Sequence, residues 1–356
     1  MVVHLWYNEF VITREDTSNA KGWPVTGHEW AVDLLRRSLD ADRLPHALLL
    51  TGPRQVGKRT LALALVSALF CQAENRPCGE CRACVRVAHG NHPDVQVVEA
   101  TVTGREREGV LRIDQIRLLR REAALAPLEA PLKIFVLREI EHANLPAANA
   151  LLKTLEEPPD RVMLILTSAR PDALLSTIIS RCQTVQLRPL AIEIVRQALI
   201  NDWQVSEEEA ALLARLSRGR LGWAVERLED ETAWQERVDI LDESFELTGK
   251  GPTERLKFAA NLARTPGRVQ PTLDLWASWW RDLLLMQTGC SDQISNIDLE
   301  ARLGEQVHQF DTSQVRHFLA RLQAAPGQLN RNVNARLLLE NLVLHMPEPE
   351  QGGLID

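Results

Sequence analysis

Five short apolar runs in the first half of the sequence constrain its fold more than any other feature. They lie at residues 46–51, 94–98, 133–137, 162–167 and 183–187. Segments with helical spacing separate them, and this alternation is typical of a parallel sheet covered by helices on both faces. We therefore predict an α/β domain over residues 23–190, with a five-stranded parallel sheet and a ligand site at the carboxyl ends of its strands.

After the last run, the remaining sequence has helical patterns only. Residues 191–247 predict a small helical domain, in which one helix begins near Ser206. Residues 248–346 predict a further all-helical domain. Its helices are expected to break at glycine and proline pairs in residues 249–252, 266–267 and 326–327. We expect residues 1–22 to form an extension and residues 347–356 a disordered tail.

The composition is that of a folded, water-soluble protein. Of the 356 residues, 45% are hydrophobic and 25% charged, and no run reaches the roughly 18 apolar residues that a membrane span needs. The chain does not start with a basic segment followed by an apolar one, so we expect a cytoplasmic protein with no membrane partner. Because the net charge is −7, any contact with DNA must be local or shared with partners.

The first apolar run leads into a loop with Walker A spacing and one defect. Gly52, Gly57 and Lys58 occupy the expected positions, and an apolar helix follows. In such loops, backbone N–H groups and the lysine bind phosphates, and a hydroxyl directly after the lysine ligates Mg²⁺. Here Arg59 takes the hydroxyl position, and Thr60 lies about 100° further round the helix. We predict a degenerate phosphate loop with ATP as a doubtful cofactor; a simple strand-to-helix turn is the alternative.

A second defect follows the third apolar run, where a working site carries an aspartate and then a glutamate. In this chain Arg138 precedes Glu139. At an effective dielectric constant of about 20 and a separation of roughly 4 Å, one pair of unit charges is worth about 4 kcal/mol, so an arginine there strongly disfavours Mg²⁺. Alternatively, Arg138 points away into solvent, but the carboxylate ligand is missing in either case.

Four cysteines within fourteen residues predict a structural zinc site. Their spacing is C-x₆-C-x₂-C-x₂-C, at Cys71, Cys78, Cys81 and Cys84. Four thiolates complete a tetrahedral Zn²⁺ shell and leave no open position, whereas free thiols or a redox switch are the alternatives. His89 and His92 could in principle replace a thiolate. The helix from Lys58 would end about 20 Å from the loop, so the metal cannot assist chemistry there.

These features resemble the clamp-loader branch of the AAA+ ATPases over about residues 23–346. The most specific segments are NALLKTLEEPP at residues 149–159 and the tripeptide at residues 180–182. Further matches lie at residues 44–47, 279–284 and 330–337. The last two resemble the stator subunits of that family more than its motor subunits.

The resemblance implies an AAA+ domain at residues 23–190 with a zinc module at 71–84, a helical lid at 191–247 and a helical collar at 248–346. The collar would assemble a five-membered ring. The family spacing from residue 133 to residue 149 places Arg138 at the position of the missing aspartate. Residues 219–224 resemble the segment in which motor subunits carry a nucleotide-sensing arginine. The resemblance places Gly222 at that arginine's position, for which Arg220 is a poor substitute.

By the same resemblance, Arg181 is an arginine finger presented to the ATP of a neighbouring subunit. Its permanently charged guanidinium would stabilise charge on a transferred phosphoryl group. The alternative is an arginine that pairs with a local carboxylate. We interpret Cys182 and Cys290 as packing residues. Glu156 and Glu157 are interpreted as a helix end rather than as a general acid/base pair.

Together, the resemblance and the defective loop imply a stator subunit of the bacterial replicative clamp loader. Such a subunit assists loading of the sliding clamp onto primed DNA, and we expect it to have no ATPase activity of its own. Its expected partners are the motor and clamp-opening subunits, the sliding clamp, and primed DNA within the assembled ring. Two alternatives are an ATP-hydrolysing motor subunit and a zinc-stabilised nucleic-acid-binding module.

Overall fold

The structure of the chain is a computed structural model that describes residues 22–101, 109–228, 230–330 and 334–349. The predicted extension lies outside these residues except for its last position, and the predicted tail lies outside them from residue 350 onward. The chain divides into two compact units. The first extends to Ala198 and includes Gly219–Trp223, and the second contains Leu199–Arg218 and the chain from Ala224 onward.

A five-stranded parallel sheet lies at the centre of the first unit, which confirms the predicted α/β fold. Its strands are β1 (Ala47–Thr51), β2 (Val95–Val98), β3 (Lys133–Leu137), β4 (Val162–Ser168) and β5 (Gln183–Gln186). Their order is β2-β3-β4-β1-β5. Because β1 lies between β4 and β5, the loop that follows it emerges beside the ends of both neighbouring strands.

Helices cover both faces of this sheet. They are α1 (Glu29–Asp40), α2 (Lys58–Phe70), α3 (Arg82–Ala88), α4 (Ile113–Ala123), α5 (Leu145–Glu156) and α6 (Ser176–Ile179). Alternate residues of β1 enter different cores, as the twofold period of a strand requires. Leu48 and Leu50 pack with α1 and α2, whereas Ala47 and Leu49 pack with α4 and α5. The apolar runs of the central strands β1, β3 and β4 are continuous because both of their faces are buried.

The rest of the chain is helical. Its helices are α7 (Ile192–Trp203), α8 (Glu207–Ser217), α9 (Leu221–Leu228), α10 (Glu231–Thr248), α11 (Pro252–Leu262), α12 (Pro266–Gln287), α13 (Glu300–Gln306), α14 (Thr312–Asn330) and α15 (Ala335–Leu344). The Ser206 hydroxyl accepts a hydrogen bond from the Glu209 N–H, which confirms the predicted helix start. Among the residues that the structure describes, no helix is both long and apolar enough to cross a membrane.

Two of the three predicted helix breaks are confirmed, and the third is wrong. α10 ends before residues 249–251, and α12 begins at Pro266. However, Pro326 lies inside α14. A proline removes one backbone hydrogen bond, but Phe318 and Leu322 bury the apolar face of this helix and hold it in place. The boundary between a lid at residues 191–247 and a collar at 248–346 stays a prediction.

Arg255 joins two helix ends in the second unit. Its side chain is only 3% exposed, and its guanidinium donates hydrogen bonds to the carbonyl oxygens of Leu247, Thr248, Val343 and Met346. These carbonyls lie at the ends of α10 and α15, where a helix leaves its last C=O groups without a helical partner. One buried cation therefore satisfies acceptors from two distant segments.

We expect Arg255→Met to lower the free energy of unfolding by about 3 kcal/mol, because buried carbonyls would lose a charge-assisted donor. Urea denaturation, followed by the fluorescence of the tryptophans in the second unit, measures this change. Lys257→Met, at an exposed position of α11, is the matched control and should leave the transition within about 0.5 kcal/mol of wild type. An unchanged midpoint for Arg255→Met would show that these contacts contribute no stability.

Candidate functional site

The loop after β1 has the backbone of a phosphate loop, and its lysine, Lys58, is hydrogen-bonded to the loop itself. Gly52 and Gly57 have φ angles of 141° and 107°, which other residues rarely adopt. The Lys58 ammonium donates to the carbonyl oxygens of Gly52 at 2.6 Å and Pro53 at 2.5 Å. Burial lowers the pKa of Lys58 to about 8, although nearby carboxylates oppose the shift. The lysine is thus bound to acceptors of its own loop.

The two residues after this lysine are exposed at the start of α2. Arg59 holds the position that a magnesium-binding hydroxyl would need, and Thr60 follows it by one residue. Since successive helical residues differ by about 100° in direction, both side chains cannot occupy the same position relative to the loop. Arg59 and Thr60 therefore leave the loop in different directions, and the degenerate phosphate loop stays a prediction.

A backbone contact connects the start of α9 to the apex of the loop. The Gly222 N–H donates a 3.0 Å hydrogen bond to the Gln55 carbonyl oxygen. A Cβ atom at residue 222 would lie 2.9 Å from that oxygen, so any larger residue would displace the contact. Gln55 itself has a positive φ of 61°. The position that the resemblance gives to a nucleotide-sensing arginine is thus occupied by glycine in direct contact with the loop.

The residues after β3 take part in a chain of ion pairs. Arg138 Nη1 lies 2.6 Å from Glu99 Oε1, at the end of neighbouring β2. Glu139 Oε2 lies 3.4 Å from Arg54 Nη2 and 3.5 Å from His142 Nε2. The hydrogen bond from His142, together with the charges of Arg54 and Arg138, lowers the pKa of Glu139 to about 2. Arg138 is therefore paired, rather than directed away into solvent.

These ion pairs line a cavity of about 240 Å³. Its described lining contains Arg54, Arg138, His142, Glu99 and Glu139. Both carboxylates of that lining have an arginine partner within 3.4 Å. A divalent cation would meet two carboxylates that already have arginine partners, and the positive charges of Arg54 and Arg138 would repel it. The arrangement suits internal charge neutralisation better than magnesium binding.

Arg181 lies between α6 and β5, where its guanidinium is held by its own subunit. Nη2 is 2.8 Å from Glu156 Oε1 at the end of α5. Nη1 donates to the Thr177 carbonyl oxygen at 3.0 Å and to Ser180 Oγ at 3.4 Å. The side chain is 35% exposed. The structure thus contains the local ion pair that was the alternative for this residue, and the guanidinium remains accessible from solvent.

The four cysteines converge at the end of α2. Their sulfur atoms all lie within 4.8 Å of one another, and those of Cys71 and Cys81 are 4.0 Å apart. Tetrahedral zinc at about 2.3 Å from each thiolate requires sulfur atoms about 3.8 Å apart, so this cluster fits the ion. Backbone N–H groups of Cys78, Cys81 and Cys84 donate to cluster sulfurs. The N–H of Cys81 is the main cause that lowers the pKa of the Cys78 thiol to about 7.

Neither candidate histidine belongs to this cluster. His92 is buried against Phe70, with ring centroids 4.7 Å apart, and its Nδ1 accepts a hydrogen bond from the Asp94 N–H. Burial lowers the pKa of His92, which favours the neutral ring. His89 is exposed and bonds to the Val85 carbonyl oxygen. Within the described ranges, the four cysteines form the group that could hold a metal ion.

Two family models match most of the chain. One is described as "DNA polymerase III, delta subunit" and matches residues 27–191, and the other as "DNA polymerase III, delta subunit, C terminal" and matches residues 231–348. The DNA polymerase III subunit delta′ of Bacillus subtilis is 31% identical over 321 residues, which cover 88% of this chain and 94% of the relative. The chain belongs to the delta-prime subunit family of DNA polymerase III.

Other relatives agree with this family. The delta′ subunit of Pseudomonas aeruginosa is 33% identical over 84% of this chain and 90% of its own length. The tau subunit of B. subtilis is 29% identical, but the match covers 63% of this chain and only 40% of tau. The predicted clamp-loader family is therefore confirmed, and a delta-prime-type subunit is favoured over a motor subunit of the gamma/tau type.

In this delta-prime family member, the sequence indicates the positions of the site residues but not the residues that pair with them. No pattern in the sequence indicates Glu99, which directly follows β2, the strand next to β3, and pairs with Arg138. For Glu156, the sequence predicts a helix end but not the ion pair with Arg181. The charge of Glu156 is the signal that could have indicated this pair. A carboxylate in the last turn of a helix interacts unfavourably with the helix dipole, and a nearby cation offsets that cost.

Proposed function

We propose that this delta-prime-type chain is a stator of the clamp loader, which hydrolyses no ATP itself and supplies Arg181 to the ATP site of an adjacent motor subunit. The observation that carries the proposal is the pairing of Arg138 with Glu99 and of Glu139 with Arg54. These are the side chains at the strand ends where a magnesium nucleotide would need carboxylate ligands. In this chain, their charges are neutralised by arginine.

The proposed partners follow from the relatives. Relatives named delta′ and tau are both subunits of DNA polymerase III, which supports assembly of this chain with tau-type motor subunits and with a clamp-opening subunit. The sliding clamp and primed DNA would be contacted within the assembled ring. We further propose that Cys71, Cys78, Cys81 and Cys84 hold a structural Zn²⁺ ion, which would fix the local fold and take no part in chemistry.

The experiment compares the chain alone with the chain in a reconstituted ring. Alone, it is expected to hydrolyse no ATP in the presence of Mg²⁺ and primed DNA. Added to motor and clamp-opening subunits, it is expected to increase DNA-stimulated hydrolysis. Magnesium-dependent turnover by the purified chain would contradict the stator proposal, as would a ring that hydrolyses ATP equally well without it. Motor subunits assayed alone provide the positive control for nucleotide hydrolysis.

A further inference from the structure

Glu156 stands at an electrostatically unfavourable place. It is the last residue of α5, where the partial negative charge of the helix C-terminus disfavours a carboxylate. The guanidinium of Arg181 lies 2.8 Å from its Oε1 and offsets this cost. In addition, Glu156 is separated from Arg181 by β4 and α6, so the contact is made by the fold rather than by chain proximity.

The contacts of Arg181 fix the plane of its guanidinium. Glu156 Oε1 forms an ion pair with Nη2 at 2.8 Å, and the Thr177 carbonyl accepts a hydrogen bond from Nη1. Because these two partners belong to different elements and contact different nitrogens, they restrict the orientation of the rigid guanidinium. Without the carboxylate, Nη1 alone would hold the group, and rotation about the side-chain bonds would be restricted much less.

The same contacts leave the arginine able to act on a second anion. The Arg181 and Glu156 side chains are 35% and 48% exposed, so an anion can approach the guanidinium from solvent. A guanidinium has five N–H donors, and the acceptors described here engage the two terminal nitrogens without using all of their hydrogens. The group can thus remain oriented by Glu156 and still donate toward a phosphate group presented by another subunit.

We propose that Glu156 is a positioning residue for Arg181, and this inference rests on the proposed role of Arg181 in the ATP site of a neighbouring subunit. Glu156 touches no nucleotide in this scheme. It holds the guanidinium in one orientation before the neighbour's γ-phosphate arrives, so less conformational freedom is lost when the transition state forms. Glu156 would therefore affect turnover and leave the affinity for ATP unchanged.

A double-mutant cycle tests the inference in a reconstituted ring in which the motor subunit next to this chain is the active one. Glu156→Ala is expected to lower kcat about 3- to 10-fold with KM for ATP unchanged, which is the pattern of a contact made only in the transition state. Glu156→Gln keeps an oxygen acceptor and is expected to have an intermediate kcat. Introduced into Arg181→Ala, Glu156→Ala should have no further effect.

Glu157→Ala is the matched control, because it removes an equally charged, exposed neighbour that the structure places after the end of α5. It should keep wild-type kcat. Gel filtration and thermal midpoints check that each variant folds and assembles; if Glu156→Ala does not, Glu156→Gln alone carries the comparison.

The outcomes separate the two proposals. If Arg181→Ala lowers turnover but both Glu156 variants keep wild-type kcat, the positioning role is overturned and the stator proposal stands. If Glu156→Ala lowers kcat equally in the wild-type and Arg181→Ala backgrounds, Glu156 acts independently of Arg181 and the inference is again overturned. If Arg181→Ala itself leaves turnover unchanged, the proposed role of Arg181 fails, and the inference fails with it.

Discussion

Turnover at the ATP site next to this chain is expected to fall about 10³-fold when Arg181 is replaced by alanine, at the lower end of the range for arginine fingers. The physical reason is that the guanidinium stabilises charge that builds up on the transferred γ-phosphoryl group, whereas alanine has no group that can stabilise it. Pre-steady-state phosphate release from the reconstituted ring measures this site separately from the others. The burst from the site beside this chain should disappear, while ATP still binds.

Two variants sharpen this test. Arg181→Lys keeps the positive charge but loses the planar fork, so it is expected to recover little of the lost turnover. Arg188→Ala removes an exposed arginine from the same stretch of chain and should keep the wild-type burst. Assembly measured by gel filtration should be the same for all three variants. A normal burst from Arg181→Ala would exclude the finger role.

Loss of one cysteine from the cluster is expected to remove the metal and destabilise the first unit. Cys84 is 3% exposed and lies in α3, whereas Cys71 directly follows α2. A zinc ion bound to both would connect the ends of these helices. Structural zinc contributes about 10 to 16 kcal/mol of apparent binding free energy in small domains, and even a fraction of this is a large share of a domain's stability.

We therefore expect Cys84→Ser to bind less than a tenth of the wild-type zinc and to lower Tm by more than about 10 °C. Elemental analysis and differential scanning calorimetry measure the two effects. Cys290→Ser changes a cysteine of the second unit and should retain one zinc per chain and the wild-type Tm. Full zinc content in Cys84→Ser, or a wild-type Tm after treatment with a strong chelator, would refute a structural role for the metal.

The three central strands were predictable because β1, β3 and β4 are buried on both faces. In β1, Leu48 and Leu49 point into different cores, so no polar residue interrupts the run. Pro326 illustrates what local reasoning misses. Proline is a helix breaker by its own chemistry, but the buried side chains around it in α14 determine the outcome. Such packing depends on residues far away in the chain.

The candidate site was predictable to a similar extent. Spacing was enough to identify Lys58 and Arg138, because a phosphate loop and a strand end are local features. The partner of Arg138 was not predictable, because Glu99 reaches it only through the order of strands in the sheet. The contact of Gly222 with Gln55 likewise joins residues that are far apart in the first unit's sequence.

The hydrogen bonds of Lys58 have a consequence for how this chain responds to its surroundings. Carbonyl oxygens of Gly52 and Pro53 give the ammonium group the acceptors that a polyphosphate gives it in an active ATPase. The curvature of the loop is thus supported by the polypeptide itself. Under the proposed stator role, this loop is expected to keep one conformation whether or not ATP is present, and so to give the moving subunits a fixed reference point.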